Sequence, residues 1–180
     1  MKHLIALTLA AVLAFSCAGL ALAEAQTYDL FPVAGKVMLT VTLDREPLYI
    51  TTDKAFSELG ASRATVETEG LAPCVISIAK SDIAEDESLA DMGEETIEMI
   101  AAHMAEQFDN PEIVTGTAGD FAYIAVKSYG EAGNIHSIFT IVKGYFVQTD
   151  QYHEDFSELT EEDGAFAREV LAGLGSRELE

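Results

Sequence analysis

The region between residues 112 and 149 constrains the fold most strongly, because its apolar segments are separated by connections too short to hold a helix. Gly119-Asp120 and Lys143-Gly144 are turn sequences of two residues, and 130–134 is a short loop. Strands joined this closely pair antiparallel. The region therefore predicts a four-stranded meander, with strands at 112–118, 121–129, 135–142 and 145–149.

The first of two predicted helices lies just before this meander. Ser88 begins it, with Asp91 three residues later as a variant of the capping box. Asn110-Pro111 ends it, because proline disfavours helical geometry in the residue before it. An apolar stripe at helical spacing predicts that the helix covers a surface. The stripe consists of Leu89, Met92, Thr96, Ile100, Met104 and Phe108.

The second predicted helix begins at Thr160, with Asp163 again three residues on, and Gly175 ends it. Its apolar stripe is Phe166, Val170, Leu171 and Leu174. Earlier apolar segments predict further strands at 36–43, 48–51 and 74–79. This order of elements predicts an α+β fold, in which a long central helix and a C-terminal helix pack on an antiparallel sheet.

Residues 1–23 are predicted to be a signal peptide. Lys2 gives a positive start, Leu4 to Ala23 carries no charge, and Ala21 and Ala23 suit cleavage after Ala23. Two alternatives stay open: an uncleaved membrane anchor, since the apolar run is close to the spanning minimum, and a lipoprotein attached through Cys17. The leader predicts a secreted or periplasmic protein, with residues 24–180 as a single domain whose core lies at 74–175.

The charge of the chain excludes whole classes of partner. The 180 residues include 10 Lys and Arg against 31 Asp and Glu, a formal charge of −21. Proteins that bind nucleic acid by neutralising phosphates need clustered basic residues, so nucleic acid is excluded. An anionic membrane surface would repel the chain, so membrane contact is expected only transiently, through the signal peptide. Cys74 is the single cysteine after the leader, so no internal disulfide is possible.

Several features between Cys74 and Gly173 resemble the PsbP-like and DcrB-like superfamily of small extracytoplasmic proteins. These are the apolar strand from Cys74, an acidic loop, the helix from Ser88, a meander punctuated by glycine, and a C-terminal helix. The glycines are Gly116, Gly119 and Gly144. The resemblance implies a non-enzymatic accessory or binding protein outside the cytoplasm, and it supplies no catalytic residue.

The chain has no motif that predicts an enzyme. It lacks Gly-x-Ser-x-Gly, His-Glu-x-x-His and a glycine-rich phosphate loop. Cys74 begins a buried strand without an adjacent histidine, which predicts an unreactive thiol. His136 lies near the start of a strand and alternates with Ile135 and Ser137, which predicts that it faces solvent. No catalytic residue and no bound cofactor are therefore expected.

Seven carboxylates without a Lys or Arg between 150 and 163 form the clearest local anomaly. Several carboxylate oxygens together can bind Ca²⁺, so the candidate metal ligands are Asp150, Glu154, Asp155 and Glu158. The alternative is that Glu161, Glu162 and Asp163 occupy the first turn of a helix, where the helix dipole favours anions. The other acids would then form a solvated loop.

These observations predict an exported, non-catalytic binding or accessory protein of the bacterial cell envelope or medium. Its partner would be a protein or a small ligand of the envelope. The alternative function is weak binding of a divalent cation, Ca²⁺, by the acidic segment 150–163.

Overall fold

The computed structural model describes residues 24–33, 37–53, 62–80, 83–84, 86–130, 133–155 and 157–179. The signal peptide predicted at 1–23 lies outside the described residues. Those that are described form ten strands: β1 (Gln26–Val33), β2 (Val37–Leu43), β3 (Tyr49–Asp53), β4 (Ser62–Glu67), β5 (Cys74–Lys80), β6 (Glu112–Ala118), β7 (Phe121–Gly130), β8 (Gly133–Val142), β9 (Tyr145–Gln151) and β10 (Leu174–Glu178). They also form two α-helices, α1 (Glu94–Ala105) and α2 (Glu161–Ala172).

The strands build two sheets in which every pair is antiparallel. The larger sheet has the order β3-β4-β5-β9-β8-β7-β6, and the smaller has the order β1-β2-β10. After β5 the chain crosses four strand positions, about 19 Å at the usual spacing, to the far edge at β6. It then returns strand by strand until β9 pairs with β5. Helix α1 lies within this crossover.

The predicted meander is confirmed as β6 to β9. Ala118 pairs with Phe121 and Val142 with Tyr145, so Gly119-Asp120 and Lys143-Gly144 are both turns of two residues. Gly119 and Gly144 have φ angles of 56° and 75°, a region that glycine enters without steric cost. These turns therefore fix the register of the meander, and the register determines which face of the sheet each side chain points to.

The main hydrophobic core lies between the two sheets. We call the face of the seven-stranded sheet that packs on the three-stranded sheet and α2 the inner face, and the opposite one the outer face. A register shift between Asp29 and Phe31 places both Leu30 and Phe31 in this core, although they are consecutive. Fully buried members of the core include Val41, Leu43, Ile76, Ile138, Phe166 and Leu171.

A second, smaller core lies under α1 on the outer face. Ala101 of α1 and Leu89 are buried there against Ile124 of β7 and Ile141 of β8. The side chains of β9 separate the two cores, since Val147 belongs to the first and Phe146 packs on the second. Both faces of the central strands are therefore covered. Neither described helix is long and apolar enough to cross a membrane.

The predicted α+β fold with a long central helix is wrong, because the described chain is mostly β-structure. The Ser88–Asp91 cap is present, but it closes only a single 3-10 turn, Leu89–Asp91. Met92 and Gly93 are then extended, with ψ angles of 144° and 152°, so α1 starts late and has only 12 residues. Its buried residues are Ala101 and Ala105. Small side chains allow α1 to pack close to the sheet. The prediction missed this buried face because it followed a stripe of large apolar residues.

The second helix begins where predicted but ends earlier. Thr160 is its N-cap, and Asp163 closes the capping box. The helix stops at Ala172, and Leu174 to Glu178 form β10 beside β2. A short polar sequence such as Gly175-Ser176-Arg177 has weak strand propensity. Pairing with β2, which is distant in sequence, decides its conformation.

Candidate ligand-binding site

A cavity of about 550 Å³ opens on the inner face between β7, β8 and the first half of α2. We call it the β7–α2 cavity. Lys127, His136 and Arg168 line it together with Glu161 and Glu162.

The fold brings the three nitrogen-bearing side chains together from three separate elements. Lys127 of β7 and His136 of β8 are direct partners in the antiparallel register, so their Cβ atoms are about 5 Å apart on the same face. Arg168 comes from α2, four residues after Gly164. A Cβ atom on Gly164 would lie 3.4 Å from Nη1 of Arg168 and 3.9 Å from Cε1 of His136. Both distances are ordinary van der Waals contacts, so Gly164 lies beside the guanidinium and the imidazole.

His136 is the central group of this cavity. Its side chain is only 4% exposed, yet no described residue forms a hydrogen bond with its ring. Burial, together with the positive charges of Lys127 and Arg168, lowers the pKa of His136 to about 4. The imidazole is therefore neutral at pH 7 and presents one donor and one acceptor nitrogen.

Lys127 and Arg168 differ from Arg45 and Arg177 in their ion pairs, although the exposed Lys143 also has none among the described residues. Arg45 and Arg177 each have a carboxylate oxygen at 2.6 Å, from Glu169 and Asp29. Within the described part of the chain, neither Lys127 nor Arg168 has a carboxylate within ion-pair distance. Two cations without such a partner beside one cavity are unexpected in a chain with threefold more acidic than basic residues.

The acidic residues of the cavity lie at its other end. Glu161 is seven residues before Arg168, which is about 10 Å along the helix. Both Glu161 and Glu162 belong to the first turn of α2, where the helix dipole favours carboxylates. The residues that line the end of the cavity near His136 are therefore cationic, although Glu112 of β6 is the direct strand partner of Lys127 on the same face. The two cations suit this end to a carboxylate or phosphate group.

His136 was predicted to face solvent, and that prediction is wrong. Both faces of β8 are covered here, so the alternation of polar and apolar residues does not report exposure: His136 and Ser137 point to opposite faces, and both are buried. No local sequence signal indicates the cavity, because Lys127 and His136 are neighbours only through the register of β7 and β8, and Arg168 joins them only through the packing of α2.

The structure does not bring the four candidate metal ligands together. Asp150 lies in β9, where its carboxylate accepts hydrogen bonds from Ser137 Oγ at 2.5 Å and from Gln148 Nε2 at 2.8 Å. Glu154, Asp155 and Glu158 are exposed, and Asp155 accepts a hydrogen bond from the Ser157 N–H. Among the described residues, no three His, Cys, Asp or Glu side chains are grouped as a metal site would require. Calcium binding at this segment stays a prediction.

Cys74 is buried, as its apolar strand indicates. Burial raises the pKa of its thiol, and the negative charges of Asp163 and Glu169 raise it further. The thiolate that a nucleophile needs is therefore disfavoured. Gln151 Nε2 lies 3.7 Å from the sulfur and donates to the carbonyl of Ala72, so the surroundings of Cys74 are part of the packed core.

The sequence matches no known family model, and it is not significantly similar to any curated protein. Membership of the PsbP-like and DcrB-like superfamily stays a prediction.

Proposed function

We propose that this chain is a non-catalytic binding protein that holds a small anionic ligand in the β7–α2 cavity. The observation that carries the proposal is the buried His136, which has no described hydrogen-bond partner and lies between two cations without ion pairs. The ring nitrogens of His136 are not among the fully buried polar atoms without a partner, so they are accessible from the cavity. A ligand oxygen that accepts from the imidazole there would also lie near Lys127 and Arg168.

The chemistry of the site favours a carboxylate or a phosphate. Arginine forms paired, charge-assisted hydrogen bonds with such planar or tetrahedral oxyanions, and lysine adds a point charge. A volume of about 550 Å³ is within the usual range for small-molecule sites. The carboxylates of Glu161 and Glu162 at the far end would repel an anionic group, so the anionic part of the ligand would lie at the end near His136.

The surroundings of His136 favour binding over catalysis. Ser128 is the serine among the residues that line the cavity, but it follows Lys127 in β7 and its side chain points to the opposite face, where the hydroxyl donates to the carbonyl of Asp109 at 2.7 Å. A nucleophilic serine would instead need to donate its proton to the imidazole. A histidine with a pKa near 4 is also a weak base at neutral pH.

We further propose that the protein acts outside the cytoplasm, in the envelope or the medium. The charged start, the apolar run and the small residues at Ala21 and Ala23 support this. An acidic chain that needs no internal disulfide is compatible with either location.

Calorimetric titration of the protein from Glu24 onward with phosphate and with citrate tests the ligand site. K127M and R168M should each weaken binding of the better ligand at least tenfold, because each removes one cation from the cavity. K143M is the matched control: it makes the same charge change on an exposed turn at the other end of β8, and it should bind like the original protein. Equal weakening in all three variants, or no binding of either anion, contradicts the proposal.

A further inference from the structure

Strand β6 forms one edge of the seven-stranded sheet. It pairs with β7 on one side, and no other described strand pairs with it. Ile113 and Val114 point to opposite faces and are 43% and 39% exposed. Natural edge strands are usually protected by lysine, proline or a bulge. This strand, Glu-Ile-Val-Thr-Gly-Thr-Ala, has none of these.

An apolar groove lies beside this edge on the outer face, between β6 and α1. Met92, Ile97 and Ala101 line it on the helix side, and Ile113 and Thr115 line it on the strand side. Its volume is about 550 Å³. We call this the β6–α1 groove. A strand added beside β6 would place every second side chain in it.

The charge around the groove indicates what could occupy it. Glu94 and Glu98 are part of its lining, and Glu112 begins the edge strand. Between residues 88 and 126 the sequence has no Lys or Arg. A second copy of this chain would bring the same acids face to face. A cationic occupant would pair with them instead, so charge complementarity favours a basic partner over self-association.

We propose that the β6–α1 groove binds an extended segment of a partner protein, in which apolar residues alternate with Lys or Arg. The segment would pair with β6 as an additional strand. Its apolar side chains would fill the groove on the outer face. Its basic side chains would lie on the inner face beside Glu112, while Glu94 and Glu98 add to the negative potential at this edge. Addition of a strand to an open sheet edge is an established mode of peptide recognition. The groove and the β7–α2 cavity lie on opposite faces of the sheet, so this inference does not depend on the proposed ligand.

A blocked, fluorescent octapeptide that alternates Lys with Val or Ile is the probe, and anisotropy at physiological salt is the measurement. Two controls separate strand pairing from attraction to an acidic protein. The first is the same peptide with every backbone nitrogen methylated, which keeps its charge and removes its donors. The second is the L48K protein, which gains the same charge as I113K at an exposed residue beside β3, the opposite edge of the sheet.

We expect I113K to weaken binding of the unmethylated peptide at least tenfold, and L48K to leave it within twofold. Methylation should weaken binding to the original protein at least tenfold. Equal loss in I113K and L48K, or equal binding of both peptides, overturns the proposal, because attraction between net charges would then explain the result. A dimer in sedimentation experiments that I113K converts to a monomer also overturns it, because the edge would then be occupied by a second copy.

Discussion

At the scale of single residues, Asp163 shows how a buried charge is stabilised in this fold. Its side chain is 1% exposed, yet it accepts hydrogen bonds from the N–H groups of Ala72 and Thr160, both at 2.7 Å, and from the Thr160 hydroxyl at 2.8 Å. His153 Nε2 lies 3.3 Å away. One carboxylate therefore connects the segment before β5 to the start of α2.

These contacts determine the charge state of Asp163. Burial alone would raise the pKa of the carboxyl, but the hydrogen bonds from Ala72 and Thr160 and the nearby His153 outweigh it, so the pKa lies below its ordinary value. A carboxyl whose pKa is lower in the folded state stabilises the fold above its unfolded pKa. That contribution is lost as the pH falls through the folded pKa.

The D163N variant tests this role. An amide can accept fewer of these hydrogen bonds and brings donors of its own, so we expect the free energy of unfolding at pH 7 to fall by about 1–3 kcal/mol. The difference from the original protein should be full above about pH 5 and shrink below about pH 4. Urea unfolding at a series of pH values measures it. D155N, at an exposed site, should have little effect, and a D163N difference that is constant down to pH 3 would contradict the proposed role of the charge.

At the scale of elements, Gly173 determines how α2 leads into β10. Its carbonyl accepts a hydrogen bond from the Thr42 N–H at 2.8 Å. A Cβ atom built on Gly173 would lie only 1.9 Å from the carbonyl oxygen of Thr42. Glycine therefore allows the chain to pass directly beside β2 before β10 pairs with that strand.

The G173A variant should destabilise the protein, because the added methyl group would have to displace the backbone of β2. We expect a loss of about 2 kcal/mol or more in the free energy of unfolding, measured by denaturant titration. G93A is the matched control: a Cβ atom there would meet nothing within 4 Å, so its effect should be small. Equal stability of G173A and G93A would show that β2 moves aside without cost.

The elements also show what the sequence could predict. The meander from β6 to β9 was predictable because its strand pattern and its glycine turns are local signals. The long helix was not, because the helical spacing of Leu89 and Met92 continues through a segment that Gly93 interrupts. Strand β10 was missed because a strand partner, and not its own composition, determines its conformation.

The candidate site was not predictable for a related reason. Lys127 and His136 are neighbours only through the register of β7 and β8, and Arg168 joins them only because α2 packs on that face. No short motif connects the three residues. By contrast, the capping boxes at Ser88 and Thr160 were predictable, since both partners lie within one turn of the chain.

At the scale of the whole molecule, the arrangement of the sheets separates two kinds of surface. The inner face of the seven-stranded sheet carries most of the core and, at one end, the β7–α2 cavity with its cations. The outer face carries α1 and the apolar groove with Glu94 and Glu98. The crossover between β5 and β6 produces this separation, because it places α1 opposite the side that the three-stranded sheet covers.

The net charge of the molecule leads to a prediction about salt. With 31 acidic and 10 basic residues, the carboxylates of the folded chain repel one another over the Debye length, which falls from about 30 Å at 0.01 M salt to about 8 Å at 0.15 M. We therefore expect the melting temperature to rise with sodium chloride over this range, measured by calorimetry. The control is the double variant K127M/R168M, since chloride bound in the β7–α2 cavity would also stabilise the fold. Screening of the repulsion predicts the same rise in melting temperature in both proteins. A rise that is lost in the double variant would instead show that chloride binds in the cavity. A melting temperature that falls with salt would mean that attractive ion pairs, such as Arg177 with Asp29, outweigh the repulsion.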